Sequence, residues 1–215
     1  MSEALATWEP KGISTNEGGS GDWFPIPQGN KYIFTIDNVT LKPPSGPPRM
    51  GPDGKPQKQY PRALYRLNLV EAQIEKLKVF TASKRDPGQD QSTSVWASFN
   101  YTWGFLRDGQ LQVTKLFTFC ASAGGFLVTD DMKAWVLNGG RLDPDWFKGM
   151  VFRGAVSHVP KQTGGGVWVN VDPILSDEHN AENRDLLAGR LEREDSELFA
   201  KIQNGTTGTD TDLPF

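Results

Sequence analysis

Aromatic rings and cations, rather than nucleophiles, are the side chains whose spacing in this sequence suggests chemistry. Tyr101 and Trp103 alternate with Phe99 and Phe105, Trp168 stands between Val167 and Val169, and Arg62 and Arg66 share one parity of a polar/apolar alternation. Flat rings stack on nucleobases, each stack contributing roughly 1–3 kcal/mol, and cations spaced along a surface follow a phosphate backbone. Tyr101 and Trp103 suit a wet groove better than Phe99 and Phe105, because their polar edges tolerate water. Trp168 falls on the side opposite Val167, Val169 and Val171, so its ring is either a base platform or is covered by the terminal helix. Lys115 and Arg153 lie in runs read as strands flanking the same groove. Parity leaves open whether the aromatics from Phe99 to Phe105 face the core or a ligand, and each cation taken singly more often reads as a solvated charge.

Enzymatic readings find little to stand on. His158 and His179 have no cysteine partner and no H-x-x-x-H spacing, and Cys120 is the only cysteine, so a zinc site lacks ligands and a disulfide within the chain is excluded. Cys120 reads as a small buried hydrophobe. No G-x-x-x-x-G-K-[ST] or G-x-S-x-G is present, and Gly164-Gly165-Gly166 lacks the lysine and helix that would make it a phosphate cradle. Asp37, Glu71 and Asp172 are carboxylates that nothing in the sequence groups. The expectation is a non-catalytic chain needing neither cofactor nor metal.

The elements that must position these residues read mainly as strands. Lys31 to Leu41 is rich in β-branched and aromatic residues between Gly29-Asn30 and Pro43-Pro44. Residues 43 to 61 hold seven prolines and three glycines, too few hydrophobes to fold alone, and with Lys42, Arg49, Lys55, Lys58 and Arg62 around the single acid Asp53 they form a basic loop. Arg62 to Val70 alternates Arg62, Leu64, Arg66 and Asn68 against an inward face of Ala63, Tyr65, Leu67 and Leu69. Glu71 to Phe80 stays ambiguous between helix and strand, and Ser83 to Ser94 reads as a polar loop. Val95 to Phe105 and Leu111 to Cys120 form an expected hairpin about a turn at Arg107 to Gln110. Thr129 to Asn138 carries a Thr/Asp cap, Met132, Trp135 and Val136 at helical spacing, and a Gly139-Gly140 stop, which predicts a short helix. Met150 to Val159 and Val167 to Val171 predict a closing hairpin with Phe152, Val156, Val167, Val169 and Val171 inward. Glu182 to Gln203 reads as a helix, either a dimer contact in a homo-oligomer or packed back on the domain.

This order predicts a mainly β chain: a Greek-key barrel of the oligonucleotide-binding (OB) type, with one short helix before the last hairpin, followed by a C-terminal helix and a disordered acidic tail. The alternative is a β-sandwich of the jelly-roll kind, acting as a structural or adaptor protein. The expected divisions are an extended segment over 1–30, the barrel over 31–175, the helical segment over 176–204 and the acidic tip over 205–215. Charge divides in the same place, because residues 176–215 carry ten acids and four bases whereas residues 1–175 carry a net +3. A mildly basic body beside an acidic tail suits a polyanion ligand.

The ending Asp210-Thr211-Asp212-Leu213-Pro214-Phe215 resembles the tails of bacterial and bacteriophage single-stranded DNA-binding proteins, where acids precede a hydrophobic residue, proline and a terminal phenylalanine. Trp146 to Ile174 is similar to the closing hairpin of small phage-encoded replication and recombination proteins. The resemblance implies that the body coats single-stranded DNA without regard to sequence, and that the tip recruits replication, recombination or repair enzymes. Phe215 would enter an apolar pocket on such a partner, its carboxylate would meet a basic residue, and Asp210 and Asp212 would meet a basic rim, flanked by Leu213 and Pro214. In the absence of DNA the tail could also lie in the chain's own basic groove. No apolar run approaches the roughly 20 residues of a membrane-spanning helix, and Met1 to Pro10 lacks the basic and apolar regions of an export signal, so the expected compartment is the cytoplasm, that of the host if phage-encoded.

Overall fold

The computed structural model describes residues 23–194, apart from 45, 49, 108–109, 162–165 and 176, together with residue 200. Its centre is one five-stranded antiparallel sheet. Strands β2 (Gly29–Lys42) and β3 (Arg62–Leu69) form where period-two alternation is strongest, and each buries alternate side chains: Tyr32, Phe34 and Ile36 on β2, and Ala63, Tyr65, Leu67 and Leu69 on β3. β5 (Ser94–Asn100), β8 (Val151–Pro160) and β9 (Val167–Ile174) complete the sheet in the order β5-β3-β2-β8-β9. The edge strands β5 and β9 come within 8 Å at Cα without pairing, so the sheet is strongly curled and its ladder stays open. The remaining strands form two small ribbons. β1 (Trp23–Phe24) pairs in parallel with β4 (Asp90–Gln91), and β6 (Gly104–Arg107) pairs with β7 (Gln110–Val113). The described residues therefore lack the two large facing sheets of a sandwich.

Two helices close the concave side. Leu111 to Cys120, expected as a strand, instead divides into β7 and helix α2 (Lys115–Ala123; α1 spans Glu71–Thr81). The Thr114 hydroxyl caps this helix by accepting from the Phe117 N–H at 3.4 Å, and Leu116, Phe117, Phe119, Cys120, Ala121 and Ala123 are buried. Burial on a helical face overrides the strand preference of Phe, Thr and Cys here. Phe119 is the hub, with ring centroids 5.1 Å from Tyr65, 4.8 Å from Phe99 and 5.9 Å from Phe152. α3 (Asp130–Leu137) is the helix expected at this point, capped by Thr129 and burying Met132, Trp135 and Val136. The expectation of one short helix before the last hairpin is thus corrected to two, with a 3₁₀ turn at Pro144–Phe147 after them. The ambiguous stretch after β3 is helix α1 (Glu71–Thr81).

Both ends of the described chain are tied to this body. Ile26 is fully buried, and its carbonyl accepts a hydrogen bond from His158 Nε2 on β8 at 2.8 Å. α4 (Asp177–Glu194) packs back on the domain rather than standing away from it: Leu187 and Leu191 are fully buried, and the Asn183 amide donates to the carbonyls of Val151 and Ala123. Its oxygen accepts the Val151 N–H at 3.3 Å. Gly154 permits the crossing of β2, β8 and β9, since a Cβ there would meet Val171 Cγ1 at 2.8 Å and the Phe34 ring at 3.0 Å.

Cys120 is fully enclosed, with Sγ 3.3 Å from the Tyr65 hydroxyl, and burial pushes its thiol up to about 12. The thiolate is the reactive form, so the folded protein at pH 8 should resist a thiol-directed reagent and react fully once denatured. Rapid reaction of the native protein would contradict this packing.

Candidate nucleic-acid interface

The convex face of the sheet carries the side chains that the core excludes. Register places them in rows across β2, β3 and β5. Arg62 stands opposite Lys42 on one side and Asn100 on the other; Arg66 stands between Asn38 and Trp96. Trp96 is 51% exposed, unusual for an indole mid-strand, while its neighbours Val95 and Ala97 are buried. Arg62 is held in place by the adjacent strand, its Nε and Nη2 donating to the Ser98 hydroxyl at 3.2 and 2.7 Å. Arg66 Nε lies 3.8 Å from Asp37, and both side chains are about half exposed. An ion pair this open contributes about 0–1 kcal/mol, so a phosphate can replace the carboxylate at little cost.

Two grooves meet at Arg62. One, of about 370 Å³, runs beneath the end of the 43–61 loop past Gln57 and Lys58. The other, of about 550 Å³, lies between β5 and the β6–β7 hairpin and is lined by Phe105, Thr102 and Lys115. Tyr60, Arg62 and Asn100 line both, and no Asp or Glu lines either among the described residues. Lys58 Nζ sits 5.2 Å from the centre of the Tyr60 ring, a cation–π pair that keeps charge and ring together at the junction. The proline-rich loop has local order of its own: Met50 and Pro56 form a β-bridge, and Gln59 Nε2 donates to the Gly46 carbonyl at 3.2 Å.

The residues expected to form the site are distributed unevenly. Arg62 and Arg66 share the convex face as their parity requires. Lys115 is not in a strand; it is the exposed first residue of α2, and the fold of the hairpin nonetheless brings it to the same groove as Arg62. Trp103 belongs to the core, 5% exposed, with its ring edge-on to Phe117 at 6.3 Å, so it offers no face to a base. Tyr101 is half-buried and edge-on to Trp103 at 5.7 Å; burial, and after it the Asp143 charge, raises its hydroxyl pKa. The expected strand from Val95 to Phe105 ends at Asn100, and that break separates Phe99, packed on the core, from Phe105, 49% exposed on the hairpin. Trp168 is 62% exposed on β9, opposite Val159, with Lys161 Nζ 5.0 Å from its ring centre. Arg153, half-buried on β8, faces the same convex side between Ile33 and Ile174. These last two lie across β2 from the Arg62–Arg66 rows. Asp210, Asp212, Leu213, Pro214 and Phe215 lie outside the described residues.

Trp96 and Tyr60 are absent from the sequence reading, whereas Phe105 stands in its aromatic run as a poorer stacking candidate than Tyr101 and Trp103, and Lys58 in its basic loop. For Trp96 the signal was present, since it has the parity opposite to Val95 and Ala97. For Tyr60 and Phe105 nothing in a single sequence indicates that a loop and a hairpin converge. Among the described residues no group of three or more His, Cys, Asp or Glu side chains could hold a metal ion, and no helix is long and apolar enough to cross a membrane. No protein-family model, curated protein or solved structure matches the chain.

Removing an exposed ring and a core ring should have unequal consequences for stability. Trp96→Ala and Trp168→Ala are expected to shift the unfolding free energy by less than about 0.5 kcal/mol, whereas Trp103→Ala should lower it by roughly 3–5 kcal/mol. Equal losses in urea titrations would refute this assignment of inner and outer faces.

Proposed function

We propose that the chain binds single-stranded DNA without regard to sequence, through the convex face of β3 and β5 and the grooves beside it, in replication, recombination or repair. The observation that carries this reading is the alternation of Arg62, Arg66 and exposed Trp96 on one face, beside two grooves that meet at Tyr60 and Arg62 and have no carboxylate among their described lining residues. Rings for bases and cations for phosphates are what a sequence-tolerant single-strand site needs. A duplex would offer its bases only at groove edges, leaving a flat exposed indole without a partner.

The pairing pattern favours an OB-type barrel as the finer description. Counting β2, β3, β5, β8 and β9 as first to fifth, the first strand pairs with the second and fourth, the second with the third, and the fourth with the fifth. Third and fifth approach without pairing, and helices fill the connection between third and fourth. That is the arrangement of a partly open Greek-key barrel, in which the faces of the second and third strands, with the loops joining first to second and fourth to fifth, bind oligonucleotides. The first of those loops is here the basic 43–61 segment, and the second joins Lys161 to the Trp168 strand. Trp168 and Arg153 then extend the site along the neighbouring hairpin. Recruitment of replication or recombination enzymes by Asp210, Asp212, Leu213, Pro214 and Phe215 is part of the same proposal and rests on the sequence resemblance.

Titration with oligo-dT should quench intrinsic tryptophan fluorescence, saturate and weaken with salt. Trp96→Ala should reduce affinity roughly 5- to 150-fold. Arg62→Ala and Arg66→Ala should each lower the slope of log affinity against log salt by about 0.7. A folded protein whose fluorescence and mobility are indifferent to oligo-dT at low salt would end the proposal.

A further inference from the structure

The β6–β7 hairpin is an insertion between the third sheet strand and the helices; Val113 at its end packs against the core, but Phe105 and Leu106 do not. Phe105 and Leu106 are 49% and 64% exposed, although a short two-stranded ribbon gains nothing from displaying large apolar side chains to water. Its position accounts for one of them. Phe105 lines the groove of about 550 Å³ whose opposite wall is β5 and the end of the proline-rich loop, and Arg62 and Lys115 line the same groove. This volume lies within the range of small-ligand sites, roughly 300–1,000 Å³, and is large for a bare anion.

The chemistry of the lining selects among ligands. Two cations and no carboxylate among the described lining residues call for an anion. Arg62 is held by Ser98 through Nε and Nη2, which fixes the guanidinium plane so that an added anion need not order it. The exposed Phe105 ring and the ring of Tyr60 add flat apolar faces to that anion site, and the side chains of Asn100 and Thr102 supply donors and acceptors beside them. An anionic group joined to a planar heterocycle matches all three features; inorganic phosphate uses only the cations.

We infer that this pocket holds one nucleotide unit of the bound strand, its base against Phe105 and its phosphate between Arg62 and Lys115, so that the hairpin clamps a nucleotide beside the open face. The inference rests on the single-strand reading above and assigns it a discrete subsite. The groove shares Tyr60, Arg62 and Asn100 with the one beneath the loop, so a strand that follows these residues passes from one to the other.

Amide spectra of the full chain, titrated with thymidine 5′-monophosphate, thymidine and inorganic phosphate, provide the test. The monophosphate should shift the amides of Thr102, Phe105 and Lys115, saturating in the millimolar range, more strongly than either fragment alone. In parallel, Phe105→Ala should weaken oligo-dT binding roughly 5- to 150-fold, and Lys115→Ala should lower the salt slope by about 0.7. Val79→Ala, at a remote exposed position on α1, serves as the control. If Trp96→Ala weakens oligo-dT binding but Phe105→Ala and Lys115→Ala leave it unchanged, and the monophosphate moves none of those amides, the pocket is refuted while the single-strand reading survives. If the unaltered chain binds no oligo-dT, both fall.

Discussion

Register between β3 and β5 decides both what the fold buries and what it displays. Tyr65 faces Ala97 and Leu67 faces Val95 inside, and the same ladder forces Arg66 against Trp96 and Leu64 against Ser98 outside. Because side chains alternate strictly, a slip of one residue would send the cations inward and the tyrosine outward. The inner face cannot tolerate that slip, since Tyr65 meets Phe119 and Phe99 in a packed aromatic cluster. Core packing on one side therefore holds the chemistry of the other side in place.

Helix α2 supplies the inner half of this constraint. Phe119 reaches Tyr65, Phe99 and Phe152, which belong to β3, β5 and β8, so a single ring ties strands on both sides of β2 to one helix. The same helix begins at Lys115, and the Thr114 hydroxyl donates to the Thr102 carbonyl at 2.5 Å, anchoring the base of the β6–β7 hairpin. Phe105 and Lys115 are thus placed by the elements that pack the core, and Phe99, which meets Phe119, lines the groove with them.

The parts of this arrangement legible in the sequence are those governed by strict alternation. β2, β3 and the β8–β9 hairpin follow from period two, and the outward placement of Arg62, Arg66 and Trp168 follows with them. The helix from Asp130 was marked by Thr129 and Gly139-Gly140. Lys115 to Ala123 misleads because aromatic and β-branched residues favour strands, while the small residues Cys120-Ala121-Ser122-Ala123 and the Gly124-Gly125 stop carry the helical signal. Trp103 misleads for a different reason: it has the parity of Val95 and Ala97 and is buried with them, but the polar edge of an indole reads as suited to a wet groove. The grooves were out of reach, since they depend on the approach of Tyr60, Asn100 and Phe105 from three separate segments.

The most direct test of the account follows the tryptophan indole N–H signals while oligo-dT is added. The chain has seven tryptophans, of which Trp96 and Trp168 lie exposed on the convex face and Trp103, Trp135 and Trp146 are buried. Assigned by single substitutions, the Trp96 and Trp168 signals should move progressively with DNA while the three buried ones stay fixed. Saturable binding that leaves the Trp96 signal unmoved, or that shifts only the buried indoles, would contradict the claim that the β3–β5 face carries the strand.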